Sequence, residues 1–179
     1  MIQRRNFYQR GTRNVAQHLL GCFLIRQIGR KIIRGMIVEV EAYIGEQDLA
    51  CHAARGRTPR TEVMYGEAGY AYVYLVYGMY HCLNIVTEVK DFPAAVLVRA
   101  IQIEGVDYRK TNGPGKLCRL LRIDRKLNQH DLTLGKKMWI ETGPKIKKTN
   151  IKKSKRIGVD YAKHCKEYLW RFTLETEKM

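Results

Sequence analysis

Residues 23–43 read FLIRQIGRKIIRGMIVEVEAY. Two segments rich in Ile and Val, 23–28 and 32–43, flank Gly29 and Arg30. Such a composition is typical of two strands joined by a tight turn. The stretch therefore predicts a β-hairpin.

The second strand of this hairpin carries an informative alternation. Because successive side chains of a strand point to opposite faces, one face is expected to hold Val38, Val40 and Ala42. The other face is then expected to hold two carboxylates and a tyrosine, in the order Ile37, Glu39, Glu41 and Tyr43. The sequence thus predicts an acidic and aromatic surface on one side of a strand.

An amphipathic helix is predicted before the hairpin. Thr12 is a suitable N-cap, and Gly21 ends the segment. The apolar residues between them recur at helical spacing: Val15, Ala16, Leu19 and Leu20.

After the hairpin, the sequence predicts further strands and one more helix. Residues 50–68 lack a sustained period and are expected to form a loop. Residues 70–80 and 82–87 are expected to form a second hairpin with an aromatic tip at the break at Gly78. Asn112-Gly-Pro-Gly-Lys-Leu is typical of a helix start, with Lys116 in the first turn. Further strands are predicted at 94–101, 139–140, 157–159 and 170–174, and a lysine-rich connection at 145–155.

Bulk composition restricts the class of protein. A chain of 179 residues is expected to form a single domain over 1–179, and a net charge of +16 favours a polyanionic partner. Its five cysteines contain no C-x-x-C pair, which argues against a disulfide framework or a thiolate zinc cluster. We expect a reducing, cytoplasmic compartment and no membrane association.

Several chemistries lack their motifs. The metal signatures H-x-E with P-C-x-x-C and H-E-x-x-H are absent, so no metal is predicted. The segment ending in Lys116 differs from a phosphate-binding loop, because Lys110 occupies the first glycine position and Leu117 follows the lysine. Cys51 and His52 are neighbours in sequence only, which does not make a nucleophile and base pair.

A series of short stretches supplies a family resemblance: Val38-Glu-Val-Glu-Ala-Tyr-Ile-Gly45, Asp48-Leu-Ala-Cys-His52, Arg57-Thr-Pro-Arg60, Tyr72-Val-Tyr-Leu-Val-Tyr-Gly-Met-Tyr80, Val96-Leu-Val-Arg99, Asn112-Gly-Pro-Gly-Lys-Leu117 and Arg156-Ile-Gly-Val159. In these stretches and their order, the chain resembles the alkyladenine DNA glycosylases. The resemblance implies a mixed α/β (α+β) single domain with a curved antiparallel sheet, flanking helices and a protruding hairpin that intercalates into DNA.

The resemblance also implies the catalytic groups. Glu41 corresponds to a general base, a role that suits a carboxylate facing a developing sugar cation. Arg99 corresponds to an arginine that holds the attacking water, and an arginine within an apolar strand needs a carboxylate or phosphate partner. Glu39, about 7 Å from Glu41 by strand rise, is expected to be structural.

Substrate-binding and DNA-binding residues follow from the same resemblance. Tyr43, His52 and Tyr74 correspond to a pocket that sandwiches an extruded base, and Asn84 to a side chain that excludes normal guanine. At the hairpin tip, insertion into the duplex is expected of Tyr77, with Met79 and Tyr80 beside it. Backbone contacts are expected of Arg60 and Lys116.

The implied activity is monofunctional removal of alkylated or deaminated purines from double-stranded DNA. No Schiff-base lysine and no cofactor are implied, and a monomer is expected, nucleoid-associated in a bacterial-type cell or nuclear in a eukaryote. Two alternatives stay open. One is a non-catalytic nucleic-acid binding module on the same scaffold, and the other is a sugar glycosidase that uses Glu39 and Glu41.

Overall fold

The first two strands pair as the predicted hairpin in the computed structural model, which describes residues 1–76 and 78–175. Strand β1 (Phe23–Ile28) is antiparallel to β2 (Lys31–Ile44). Gly29 lies in the turn between them with a φ of 59°, a left-handed conformation that glycine adopts without strain.

An eight-stranded sheet is built outward from this hairpin. Its other strands are β3 (Ala71–Val76), β4 (Tyr80–Val86), β5 (Ala94–Gln102), β6 (Met138–Glu141), β7 (Ile151–Ser154) and β8 (Arg171–Leu174). Six strands lie in the order β3-β4-β5-β2-β1-β6, while β8 pairs with both β2 and β7, and the pairings are antiparallel. The long strand β2 therefore has three neighbours, and the predicted mixed α/β fold with an antiparallel sheet is confirmed.

Helices are few and short. The α-helices are α1 (Arg5–Tyr8), α2 (Thr12–Leu19) and α3 (Pro114–Leu120). Single 3₁₀ turns occur at His52–Arg55, Glu62–Tyr65, Tyr108–Lys110, Arg125–Leu127, Lys148–Asn150 and Lys163–Glu167. The segment 50–68 contains two of these turns and no strand, as predicted for a loop. Among the described residues, no helix is both long enough and apolar enough to cross a membrane.

The N-terminus of α2 is capped by a residue that is distant in sequence. Thr12 is the first helical residue rather than the N-cap, which is Gly11 without a side-chain bond. The Glu88 carboxylate Oε1 accepts hydrogen bonds from the Thr12 backbone N–H (2.6 Å) and hydroxyl (2.8 Å). The predicted cap is therefore wrong, but the buried face of the helix is confirmed: Val15, Ala16, Leu19 and Leu20.

The predicted alternation along β2 is confirmed except at Ile37. Ile37 belongs to the same core cluster as Val38, Val40 and Ala42. The pairing register between β2 and β5 shifts between Ile37 and Val40, and such a bulge interrupts strict alternation. Beyond the bulge, β2 turns one face to this core and presents Glu41 and Tyr43 on the other.

Two predictions for the second half of the chain are wrong. Residues 157–159 form a bend rather than a strand, and β7 lies instead within the lysine-rich segment 145–155. Short lysine-rich stretches lack a strong β pattern, but β7 can pair with β8, and this tertiary pairing outweighs local propensity. At α3, the N-cap is Gly113, and Asn112 instead accepts a hydrogen bond from the Lys116 ammonium at 2.8 Å.

Replacement of Glu88 by alanine is expected to lower the free energy of unfolding by about 1 to 2 kcal/mol, because two donors at the N-terminus of α2 lose their acceptor. Chemical denaturation monitored by circular dichroism measures this change. The matched control is Glu62→Ala, which removes an exposed carboxylate paired with Arg57 and should change stability much less. Equal losses for the two variants would contradict the capping role of Glu88.

Candidate active site

The sheet face opposite the main core forms the floor of a cavity of about 430 Å³. The structure brings six of the predicted site residues together in its lining: Tyr43, His52, Arg60, Tyr74, Asn84 and Arg99. They come from strands β2 to β5 and from the loop after β2, so antiparallel pairing of neighbouring strands assembles the site. A volume of this size is within the usual range for ligand pockets.

Glu41 lies beneath this cavity with its side chain fully buried at 0% exposure. Its Oε1 accepts a hydrogen bond from the Ile157 N–H at 2.8 Å, and its Oε2 accepts one from the Tyr43 hydroxyl at 2.7 Å. The Arg99 Nε lies 3.5 Å from Oε1. Burial raises the pKa of the Glu41 carboxyl, and Arg99, Ile157 and Tyr43 offset only part of that rise. The result is a carboxylate of increased basicity held in one orientation.

Arg99 has the carboxylate partners that its place in an apolar strand requires, so that physical expectation is confirmed. Its Nε donates to Glu39 Oε1 at 2.9 Å, in addition to its contact with Glu41. Burial alone would lower the pKa of the Arg99 guanidinium, but the charges of Glu41 and Glu39 raise it above its ordinary value. Glu39 also accepts a hydrogen bond from Arg171 of β8 at 3.1 Å. Glu39 is thus held between two arginines.

Aromatic side chains form one wall of the cavity. The His52 and Tyr74 rings are 4.5 Å apart between centroids, and His52 Nδ1 lies 2.9 Å from the Tyr72 hydroxyl. Burial, together with Arg60 and Arg55, lowers the pKa of His52 to about 4. The imidazole is therefore neutral at physiological pH. Tyr72, which is buried in a hydrophobic cluster, lines the cavity as well.

Asn84 faces the cavity from β4. Its side-chain amide nitrogen donates to the Tyr72 backbone carbonyl at 3.3 Å, and the residue is buried. Because this bond fixes the amide, Asn84 presents a rigid polar group to any molecule in the cavity.

Of the residues predicted to contact DNA, Met79, Tyr80, Lys116 and Arg60 lie in the described part of the chain. Met79 and Tyr80, at the tip of the second hairpin, are 69% and 40% exposed. Tyr80 packs against α3, where a methyl group on Gly115 would come within 2.9 Å of its ring. Tyr77 lies outside the described residues. Lys116 is exposed on α3, and the Arg60 guanidinium lies 5.1 Å from the centre of the Tyr74 ring, at the edge of the cavity.

Sequence reasoning missed a buried ion pair beside the site. Arg156 and Asp48 form two hydrogen bonds with each other, and both side chains are fully buried. Both residues lie within the stretches that carry the family resemblance, but they are 108 positions apart. No local pattern shows that two such distant residues meet. The hydrogen bond from the Ile157 amide to Glu41 was not predicted either, because these two residues are also far apart in the sequence.

Comparisons with known proteins agree on one family. A model of the Methylpurine-DNA glycosylase (MPG) family matches residues 6–178. A protein of Methanocella arvoryzae, named provisionally as a 3-methyladenine DNA glycosylase, is 49% identical over 183 residues that cover 94% of this chain and 90% of the relative. Proteins with the same provisional name are 49% identical in Legionella pneumophila strain Corby (96% and 93% covered) and 42% identical in Clostridium perfringens strain SM101 (97% and 96% covered).

His52 is expected to remain neutral down to about pH 4, since burial and two arginines oppose its protonation. Titration of the imidazole C–H resonances by NMR, with His52→Gln for assignment, measures this pKa. Arg60→Ala should raise the pKa toward its ordinary value, whereas Arg57→Ala, a change in the same loop, should leave it unchanged. A titration midpoint of His52 near pH 6.5 in the unmodified protein would contradict this prediction.

Proposed function

Because the chain belongs to the methylpurine-DNA glycosylase family, we propose that it excises alkylated or deaminated purines by direct hydrolysis, with Glu41 as general base. The family makes the chain a DNA glycosylase of base excision repair, with DNA as substrate. The observation that carries the proposal is the buried Glu41 carboxylate, hydrogen-bonded by Tyr43 and Ile157 and paired with Arg99 beneath a cavity of about 430 Å³.

The proposed chemistry uses one water molecule. Glu41 takes a proton from the water, and the water oxygen bonds to the anomeric carbon of the sugar as the bond to the purine nitrogen breaks. The electrons of that bond leave with the base, and the carboxylate stabilises the sugar cation that develops. Arg99 orients the water. Its guanidinium is already held by Glu39, so little reorganisation is needed during the reaction.

Direct hydrolysis is favoured over a lyase reaction. Among the described residues that line the cavity there is no lysine that could form a Schiff base with the sugar. A base that is already cationic, such as 3-methyladenine or 7-methylguanine, leaves as a neutral molecule. A neutral base such as hypoxanthine needs an additional proton. The product in both cases is an abasic site in an uncleaved strand.

Recognition of the base is assigned to the aromatic wall. Tyr43, His52 and Tyr74 are placed to stack on an extruded purine, at about 1 to 3 kcal/mol per stacked base. Extrusion needs a side chain that fills the gap in the duplex. This role is assigned to Tyr77 from the sequence alone, with the exposed Met79 and with Tyr80, which packs against α3, beside it. Asn84 excludes the exocyclic amino group of normal guanine.

The binding surface for DNA is assigned to the basic residues around the cavity. Lys116 lies on α3, which contacts β4, and Arg60 of the loop after β2 lies over the Tyr74 ring of β3. With a net charge of +16, the chain can neutralise many phosphates. This contribution to DNA binding does not depend on the DNA sequence. We propose that one copy of the chain acts alone on damaged double-stranded DNA.

The sugar-glycosidase alternative is disfavoured by the environment of Glu39. This carboxylate is bonded by Arg99 and Arg171, which hold it as a structural acceptor rather than leave it free to act as a second catalytic acid. Glu41 is the carboxylate proposed to act on the water.

Replacement of Glu41 by glutamine is expected to reduce single-turnover excision by about 10³-fold or more, because the base is lost while the shape of the side chain is kept. The assay uses labelled duplexes with hypoxanthine or 7-methylguanine, and alkali reveals abasic sites. Glu39→Gln is the matched control on the same strand, and its single-turnover excision rate should fall by no more than about tenfold. Equal loss in the two variants would contradict the assignment, and strand cleavage without alkali would contradict a monofunctional reaction.

The acid limb of the pH–rate profile is expected above the ordinary glutamate value of about 4.3. Glu41 acts as a base only when deprotonated, and burial raises its pKa, so activity should fall as the pH decreases through that raised value. Single-turnover excision from a 7-methylguanine duplex measures this, since the cationic base needs no further proton. Spontaneous depurination without enzyme is subtracted. An acid limb at or below pH 4.3 would contradict the buried-base mechanism.

A further inference from the structure

The Arg156 guanidinium makes four hydrogen bonds, two to Asp48 and two to backbone carbonyls. Its Nη1 donates to Asp48 Oδ2 at 2.5 Å and to the Ala42 carbonyl at 2.9 Å. Its Nη2 donates to Asp48 Oδ1 at 2.8 Å and to the Cys165 carbonyl at 3.1 Å. The guanidinium therefore joins three separate parts of the chain, namely strand β2, the loop that follows it and the segment before β8.

The same guanidinium lies between two aromatic rings. Its central carbon is 4.8 Å from the centre of the Tyr43 ring and 5.1 Å from that of Trp170. The Nε is buried without a hydrogen-bond partner in the described structure. An unpaired buried donor costs free energy, so the stacked orientation is retained at some expense in hydrogen bonding. Tyr43 is thus supported by a side chain that does not itself line the cavity.

Arg156 also fixes the backbone that reaches the catalytic carboxylate. The next residue, Ile157, donates its N–H to Glu41 Oε1 at 2.8 Å. Ala42, whose carbonyl Arg156 binds, lies on β2 between Glu41 and Tyr43. Arg156 and its bonded partner Ala42 are thus the chain neighbours of Ile157 and Tyr43, the two residues that donate hydrogen bonds to Glu41. Stability is a weak reason for this arrangement, since a buried ion pair often contributes less than well-packed apolar residues of similar size.

We propose that Arg156, held by Asp48, is a positioning residue for base excision. It holds the Tyr43 ring and the Ile157 amide in the arrangement in which they orient Glu41 and stack on the extruded base. This inference rests on the proposed role of Glu41 as the base. Arg156 itself is separated from the substrate by Tyr43 and is not assigned any contact with reacting atoms.

Arg156→Lys is the first test, because lysine keeps the charge but loses the planar group that bonds to Asp48 in two places and stacks on Tyr43. We expect the single-turnover rate at saturating enzyme to fall about 10- to 100-fold, as expected for a small misplacement of reacting groups. The enzyme concentration that gives half the maximal rate should also rise, because stacking by Tyr43 weakens.

Arg5→Lys is a matched control. Arg5 pairs with Asp131, binds the Ala68 carbonyl and lies 5.2 Å from the Tyr70 ring centre, but it does not line the cavity. The two variants therefore lose similar contacts, at the site and away from it. Excision at a temperature well below both unfolding midpoints should be impaired only in Arg156→Lys.

The pH–rate profile separates positioning from simple destabilisation. The groups that act on the charge of Glu41 are Arg99 of β5, Glu39 and Tyr43 of β2, Cys82 of β4, and Arg156. If Arg156→Lys lets the Ile157 amide move away, Glu41 loses a donor to its ionised form, and the acid limb should move upward by about one pH unit. A protein that was only less stable would keep its acid limb.

A second variant, Asp48→Asn with Arg156→Met, keeps the test decisive if the lysine variant does not fold. It removes both charges together, so no buried ion remains unpaired, and such replacements are often tolerated. We expect this variant to fold and to show the same loss of rate. Wild-type rate and acid limb in either folded variant would overturn the inference. Activity in Glu41→Gln would instead overturn the proposed function, so the two failures are distinguishable.

Discussion

The buried carboxylate of Glu41 places a physical constraint on the elements around it. An ionised group without solvent is costly unless it is paired and hydrogen-bonded. Here the compensation comes from three directions: Arg99 on β5, the Tyr43 hydroxyl on β2 and the Ile157 amide after β7. Each donor needs the element that carries it, so the pairing of β2 with β5 and the return of the chain near residue 157 are both necessary for the site. Burial also makes the carboxylate more basic, and in the proposed mechanism the fold thereby links stability to reactivity.

Strand β2 contributes both to the core and to the site because its two faces carry different residues. Beyond the bulge near Glu39, one face packs Val40 and Ala42 into the core, and the other presents Glu41 and Tyr43. A change of register by one residue would turn Glu41 and Tyr43 toward the core and Val40 and Ala42 away from it. The register is fixed by pairing with β1, β5 and β8, and Arg171 of β8 adds a bond to Glu39. The chemistry is therefore supported by the most extensively paired strand of the sheet.

Much of this arrangement is predictable from the sequence, and the exceptions share a cause. The two hairpins, the apolar strand with Arg99 and the carboxylate face of β2 follow from alternation, turn residues and the cost of a buried charge. The Glu88 cap, strand β7 and the pair of Asp48 with Arg156 depend on partners far away in the chain. Local pattern contains no information on such pairings. Ile37 differs for another reason, since a bulge changes the face of a residue without changing the composition of the strand.

The distribution of charge around the site is compatible with a cationic purine, although the chain has a net charge of +16. Three guanidiniums of the site and its supports are paired, Arg99 and Arg171 with Glu39 and Arg156 with Asp48, whereas Arg60 at the edge of the cavity makes no ion pair with a described residue. Glu41 contributes a further negative charge beside Arg99. His52 in the aromatic wall is neutral, because burial and Arg60 oppose its protonation. In the proposed reaction, a cationic base on Tyr43 and Tyr74 therefore faces paired guanidiniums and a neutral imidazole along most of the wall, while the surplus of positive charge outside is available for DNA phosphates.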